Sequence, residues 1–286
     1  MTAAAARAAH LIVDDPPVIF ADTCARALLG ERGEELIGYH RQHRTHPILA
    51  AARGQVICRN RYAEDRLAAA VSSGVRQYVI LGAGLDTFGY RSGMAAAIRT
   101  FEVDQPATQT WKRSALATAE VPVPRGVVFV PVDLAAVWPT GDASSPGGLG
   151  SVLSAAGFDF GQPAVISWLG VVMYLDLDAI RRTLTVLANC APGTELIADY
   201  MVTSELRDEA GNQYVEQVGA VAAERGEPWL SFFTPADMSA LLAQHGFGSA
   251  THVTQRDAIP AALWRRTDAL RPTELSRIAS ARLGDP

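Results

Sequence analysis

The chain has 286 residues, 25 of them basic and 30 acidic, for a formal net charge of −5 at neutral pH. That length allows one large α/β domain or two modest ones, with enough chain to bury a core. The acidic balance provides no global field to attract a phosphate backbone, which disfavours nucleic acid as the main partner; 49% apolar and 19% charged residues exclude a disordered or fibrous chain.

Three cysteines, Cys24, Cys58 and Cys190, are far apart and lack CxxC spacing, so neither a disulfide framework nor a zinc site is expected, and a reducing cytoplasm fits best. The amino-terminal run MTAAAARAAHLIVDD has no charged segment followed by a long apolar one. No apolar stretch approaches the roughly 18 residues of a membrane span. Neither export nor membrane insertion is therefore expected. Lys112 is the only lysine, which excludes any mechanism that needs two.

In chain order, Asp22 to Leu29 and Glu31 to Arg44 read as helices, and Asn60 to Ser72 as a third that runs into the first strand. From Gln77 the sequence QYVILGAGLDT is a β-branched apolar run ending in a Gly-x-Gly turn. The same grammar recurs at Thr100 to Asp104, Val127 to Asp133, Ala164 to Leu169 and Thr194 to Tyr200, with helical stretches between. Unbroken apolar strands are buried on both faces, so the predicted fold is α/β, a Rossmann-like, mostly parallel sheet flanked by helices. The segment from Thr140 to Gly150 is loop by composition. Ser204 to Arg225 reads as a helix interrupted only by Gly211 and Gly219. Thr234-Pro235 is a helix start and Gly246 a fitting stop. A last strand or pair is expected in Ser249 to Gln255 and Glu274 to Leu283. The chain is expected to form a single domain: a helical leader over residues 1–75, a cofactor-binding core over 76–200, a substrate-covering insertion over 201–235, and the remainder of the core over 236–286.

Ligands of open α/β sheets bind outside the carboxyl ends of the strands. Gly82 and Gly84 let the backbone turn sharply and approach a ligand. Asp104, ending the second strand, can accept hydrogen bonds from both ribose hydroxyls, a pairing common to dinucleotide and S-adenosylmethionine sites. Thr87 stands where a third glycine would let the helix close over a pyrophosphate, and Asp86 adds negative charge there. A sulfonium ligand with a free ammonium group tolerates that charge better than a pyrophosphate does. Asp133, closing the third strand, is suited to an adenine amino group.

The run VILGAGLDT at Val79 to Thr87, then Tyr90-Arg91 and FEVDQP at Phe101 to Pro106, resembles the S-adenosylmethionine-dependent methyltransferases related to leucine carboxyl methyltransferase, in particular their bacterial small-molecule branch. The resemblance extends over nearly the whole chain, including DPPVIFADTCARALLG, Arg59 to Arg61, Val132-Asp133-Leu134, WLGVVMYL at Trp168 to Leu175, and FFTPADMSALLAQHGF. It implies a class I methyltransferase fold and S-adenosyl-L-methionine as cofactor. It also implies that Arg59, or else Arg61, binds the carboxylate of the donor's methionine part. Gly82 and Gly84 would pass beneath that part, Asp104 would hold the ribose, and Asp133 with Leu134 would frame adenine. One departure is Leu169, where leucine carboxyl methyltransferases carry a glutamate; it puts a protein-terminus substrate in doubt.

A sulfonium methyl group is already electrophilic, so the protein's task is alignment, and a base is optional. Tyr39, His43 and His46 fall at i, i+4 and i+7, with Glu35 one turn before, a titratable stripe that could supply one. Glu216 and Tyr214 on the insertion are the second candidates, and Trp229, Phe232 and Phe233 would form an aromatic wall. The catalytic candidates are therefore Tyr39, His43 and Glu216, and no metal is expected. The resulting expectation is methyl transfer to a small aromatic secondary metabolite, O-methylation ahead of C-methylation at indole C3 with closure to a pyrroloindoline. A nicotinamide oxidoreductase and a non-catalytic adenosyl-ligand-binding module are the readings from other classes. The expected partners are a small-molecule acceptor and, optionally, a second copy of the chain.

Overall fold

The computed structural model describes residues 1–136 and 147–284. The strands are β1 (Gln77–Leu81), β2 (Arg99–Asp104), β3 (Val127–Pro131), β4 (Ala164–Trp168), β5 (Glu195–Met201), β6 (Thr251–Thr254) and β7 (Ser276–Arg282). Among the described residues they form one sheet in the order β3-β2-β1-β4-β5-β7-β6. The first five run parallel, while β7 pairs antiparallel with both β5 and β6. This is the expected Rossmann-like class I arrangement, and the last two expected strands are indeed a pair. Every residue of β1, β4 and β5 is buried, as their apolar runs require. The order reverses between β1 and β4, which opens a crevice beyond their carboxyl ends.

The helices are α1 (Thr2–Val13), α2 (Ala25–Leu28), α3 (Gly33–Gln42), α4 (Pro47–Ser72), α5 (Phe88–Arg91), α6 (Pro106–Thr118), α7 (Leu149–Ala155), α8 (Leu177–Leu187), α9 (Glu209–Glu224) and α10 (Pro235–Ala243). Several boundaries differ from the sequence reading. The first expected helix contracts to one turn, because the Asp22 carboxylate accepts the amides of Cys24 at 3.2 Å and Ala25 at 2.9 Å and so begins the helix after itself. The second splits into a 3-10 turn, Gly30–Arg32, and α3, which ends at Gln42. The third starts 13 residues before the expected Asn60, at Pro47 in the first turn. The middle of α4, Arg53 to Asn60, is buried at every position, so its buried residues form no single stripe. The loop expected over 140–150 lies outside the described residues through 146, and α7 already begins at Leu149.

Helix α1, which the sequence reading left unassigned, is built on alanine, the strongest helix former, and buries Ala4, Ala5, Ala8 and Ala9. Arg7 fastens it: Nε meets the Asp22 carboxylate at 2.6 Å and Nη2 donates to the Leu85 carbonyl at 2.6 Å. The leader is thus seated on the glycine loop. Helix α9 runs unbroken through both its glycines, each of which permits a close approach. A Cβ at Gly211 would lie 3.3 Å from the Leu275 backbone, and one at Gly219 would lie 3.4 Å from the Trp229 ring. Thr234 and Asp237 form the capping box that starts α10. On the face of β2, Lys112 Nζ meets the Glu102 carboxylate at 2.6 Å, and both side chains are fully buried.

Candidate cofactor and acceptor site

The loop after β1 is held open by two glycines in the left-handed region, Gly82 at φ +67° and Gly84 at φ +46°. At Gly82 the approach is also steric: a Cβ would fall 2.2 Å from Val171 Cγ2, so the loops after β1 and β4 touch there. The Gly84 amide donates to the Asp104 carboxylate, whose other oxygen accepts the Gln105 amide at 2.7 Å. Burial pushes the Asp104 carboxyl above the usual range, while these amides pull it back down. The Gln105 side chain reaches Asp133 at 3.4 Å, which links successive strand ends. Asp133 lies two residues past β3 and accepts the Ala135 amide at 2.9 Å; Leu134 is buried in the core behind it. Thr87 is fully buried, accepting from Arg91 Nε at 2.9 Å, so a side chain occupies the place a third glycine would leave empty.

The structure separates the two candidate arginines. Arg61 lies outward, with Nε on Asp65 at 2.7 Å and Nη1 on the Ile19 carbonyl at 3.2 Å. Arg59 turns inward to the ends of β4 and β5, where Nη1 meets Asp199 at 3.0 Å with both side chains nearly inaccessible. Asp199 also accepts the Gly170 amide, and Gly170, at φ +73°, has no room for a Cβ beside the Arg59 guanidinium. Arg59 Nε is buried without a hydrogen-bond partner among the described residues. Asp199 was missed in the sequence reading; its signal was a second acid, after Glu195, inside the strand TELIADY.

Beyond Arg59, α9 closes over α4. Tyr214 is buried, and its ring lies parallel to Trp229, 6.2 Å between centroids and 7° between planes. Met173, Met201 and Leu275 pack in the same cluster, with Phe232 against it. The segment that carries Trp229 is strapped down by Leu230 N–H to the Met173 carbonyl at 2.7 Å and Phe233 N–H to the Met201 carbonyl at 3.0 Å. Phe233 itself packs against the main core. Burial pushes the Tyr214 hydroxyl up to about 12, so it keeps its proton at neutral pH. Trp229 Nε1 is buried without a partner among the described residues.

Of the three catalytic candidates, Tyr39 and His43 are neighbours at the end of α3, while Glu216 stands on α9. Tyr39 is 56% exposed and touches His43, 4.9 Å between ring centroids. Because α3 ends at Gln42, His46 does not continue its face but precedes α4 as that helix's N-cap. Glu216 is on an exposed position of α9. The buried histidine of α3 is instead His40, whose Nδ1 accepts from Arg53 Nη1 at 3.2 Å. Leu169 packs partly buried against the core beneath the leader.

Residues 1–188 match the model of the leucine carboxyl methyltransferase family. YktD of Bacillus subtilis, named as an S-adenosyl-L-methionine-dependent methyltransferase, is 31% identical over 70% of this chain and 63% of its own length. A protein of Mycolicibacterium smegmatis with the same description is 33% identical over 76% of this chain and 69% of its own length. The matched region thus spans under two thirds of YktD. A crystal structure of a DUF574 family protein from Streptomyces avermitilis superposes with a TM-score of 0.60 at 18% identity, covering 97% of this chain and 96% of that one, which establishes the shared fold. The chain belongs to the leucine carboxyl methyltransferase family.

Proposed function

We propose that this chain transfers the methyl group of S-adenosyl-L-methionine to a small aromatic acceptor, on oxygen in preference to carbon. The observation that carries the reading is the Arg59–Asp199 pair, which leaves a buried guanidinium N–H unpartnered among the described residues, beside Gly170 and across the strand-end crevice from Gly82 and Gly84. The residues suit that cofactor. Arg59 would hold the carboxylate of its methionine part, the side-chain-free cradle of Gly82 and Gly84 would pass beneath it, Asp104 would take the ribose hydroxyls, and Asp133 with Leu134 would frame adenine. When bound, the cofactor supplies a methyl group on cationic sulfur and leaves as S-adenosylhomocysteine. The carboxylates of Asp86, Asp104 and Asp133 favour such a cation and oppose a pyrophosphate, which supports this reading over a nicotinamide one.

The leader and the segment over 201–235 form the acceptor side within a single domain. An acceptor that is already an anion needs no proton acceptor. A neutral phenol does, and His43 and Glu216 are the titratable groups proposed for that duty. The experiment that tests the reading is calorimetric titration with S-adenosyl-L-methionine, S-adenosylhomocysteine and NAD. Saturable binding of both adenosyl ligands and none of NAD supports it; binding of NAD alone overturns it.

A further inference from the structure

The cluster beneath α9 pairs an economy of packing with an uneconomical nitrogen. Trp229 lies flat over Gly219, with its ring parallel to Tyr214, in a cluster that includes Met173 and Met201. All of that is ring packing, and a phenylalanine would supply it. The indole N–H is buried with no acceptor among the described residues, and a buried donor left unmatched is destabilising. The carbonyls that the strap offers nearby are taken by backbone amides: Met173 receives Leu230 and Ser231, and Met201 receives Phe233. The second unmatched buried donor of this region, Arg59 Nε, marks the boundary with the cofactor crevice.

We propose that Trp229 is the residue that selects the acceptor, its N–H kept for a lone pair on a flat ring that carries a carbonyl or comparable oxygen in addition to the group to be methylated. Trp229 packs against the cluster that holds Met173 and Met201, whose thioethers are polarisable and favour aromatic faces. This assignment rests on the methyltransferase reading above, and it is a statement about recognition, not proton transfer.

The test uses two phenols of nearly equal shape, 4-hydroxyacetophenone and 4-ethylphenol, titrated calorimetrically into the full chain saturated with S-adenosylhomocysteine. The wild type is expected to bind the ketone at least fivefold more tightly. Trp229→Phe, which keeps the ring and removes the N–H, should abolish that preference while leaving the affinity for S-adenosylhomocysteine unchanged. Trp229→His, which retains a ring N–H, should keep part of it. Because the ratio of the two phenols is read within each variant, general loosening of the cluster cancels. A Trp229→Phe protein with the wild-type preference overturns the assignment, as does a wild type that binds neither phenol at millimolar concentration. Failure of S-adenosylhomocysteine to bind the wild type would instead overturn the reading on which the assignment rests.

Discussion

Arg59 and Asp199 meet at 3.0 Å although 140 residues separate them, and neither side chain has appreciable contact with water. Removing one partner of such a pair strands the other charge, at a cost of about 3–5 kcal/mol. Asp199→Ala is therefore expected to lower stability by that order and to weaken S-adenosylhomocysteine binding as Arg59 loses its orientation. Urea unfolding and calorimetry on the same sample check both, and wild-type stability would show that Arg59 can reach another partner.

The glycines of the loop should respond unequally. Gly82→Ala places a methyl group inside Val171 at a positive φ, whereas a Cβ at Gly84 would find its nearest neighbour 3.9 Å away. Both pay for the left-handed backbone, about 1–3 kcal/mol, but only Gly82→Ala must also displace the loop after β4. The expected order of thermal stability is wild type, then Gly84→Ala, then Gly82→Ala, and differential scanning calorimetry reads it directly.

Asp104 accepts two backbone amides and closes the gap between β1 and β2. Asp104→Ala is expected to weaken binding of S-adenosylhomocysteine by about 1.5–3 kcal/mol, the range for a hydrogen bond to a charged group. Unchanged affinity in a calorimetric titration would remove Asp104 from the ribose position.

Acid should loosen the leader. Burial, reinforced by the Arg53 guanidinium, lowers the pKa of His40 from 6.5 to about 4. Between those values the unfolded chain takes up a proton that the folded one refuses, so this contribution is complete above pH 6.5 and is lost as the pH falls toward 4. The urea midpoint should drop across that window. His40→Asn, which still offers an acceptor to Arg53, should flatten the drop; an equally steep profile in the variant would assign it to other groups.

The side chains of His43, half-buried beside Tyr39, and of Glu216, exposed on α9, make no hydrogen bond among the described residues, and substitutions away from buried partners usually change stability by no more than about 0.5 kcal/mol. His43→Ala and Glu216→Gln should therefore unfold like the wild type. A fall in turnover on a neutral phenol with an unchanged unfolding curve would then report proton transfer, and an unchanged rate would remove them from the chemistry.

The parallel sheet was legible because β1, β4 and β5 are buried on both faces, which writes itself as continuous apolar runs, and the glycine and aspartate that end β1 and β2 fall where such a sheet binds ligands. The leader was harder to read. Helix α1 buries alanines on several sides and α4 is enclosed between neighbours, so neither shows the one-sided stripe by which a surface helix is recognised. The Tyr39, His43 and His46 spacing was read on a helix assumed to reach Arg44; the chain leaves the helix after Gln42, and the histidine that turns inward is the neighbour of Tyr39, not its partner one turn on. Asp199 and the face-to-face placement of Tyr214 and Trp229 depend on contacts between distant segments, which no local pattern encodes.

Lys112 is the chain's only lysine, and its ammonium is enclosed with Glu102 against β2. The folded surface consequently presents no side-chain primary amine. Acylating reagents, lysine-directed crosslinkers and amine-based immobilisation have no side-chain target until the sheet opens, apart from the α-amino group. The same enclosure makes Lys112 a single built-in reporter: brief exposure to an amine-reactive label, read by mass spectrometry of the peptide that contains it, would count the molecules that have unfolded.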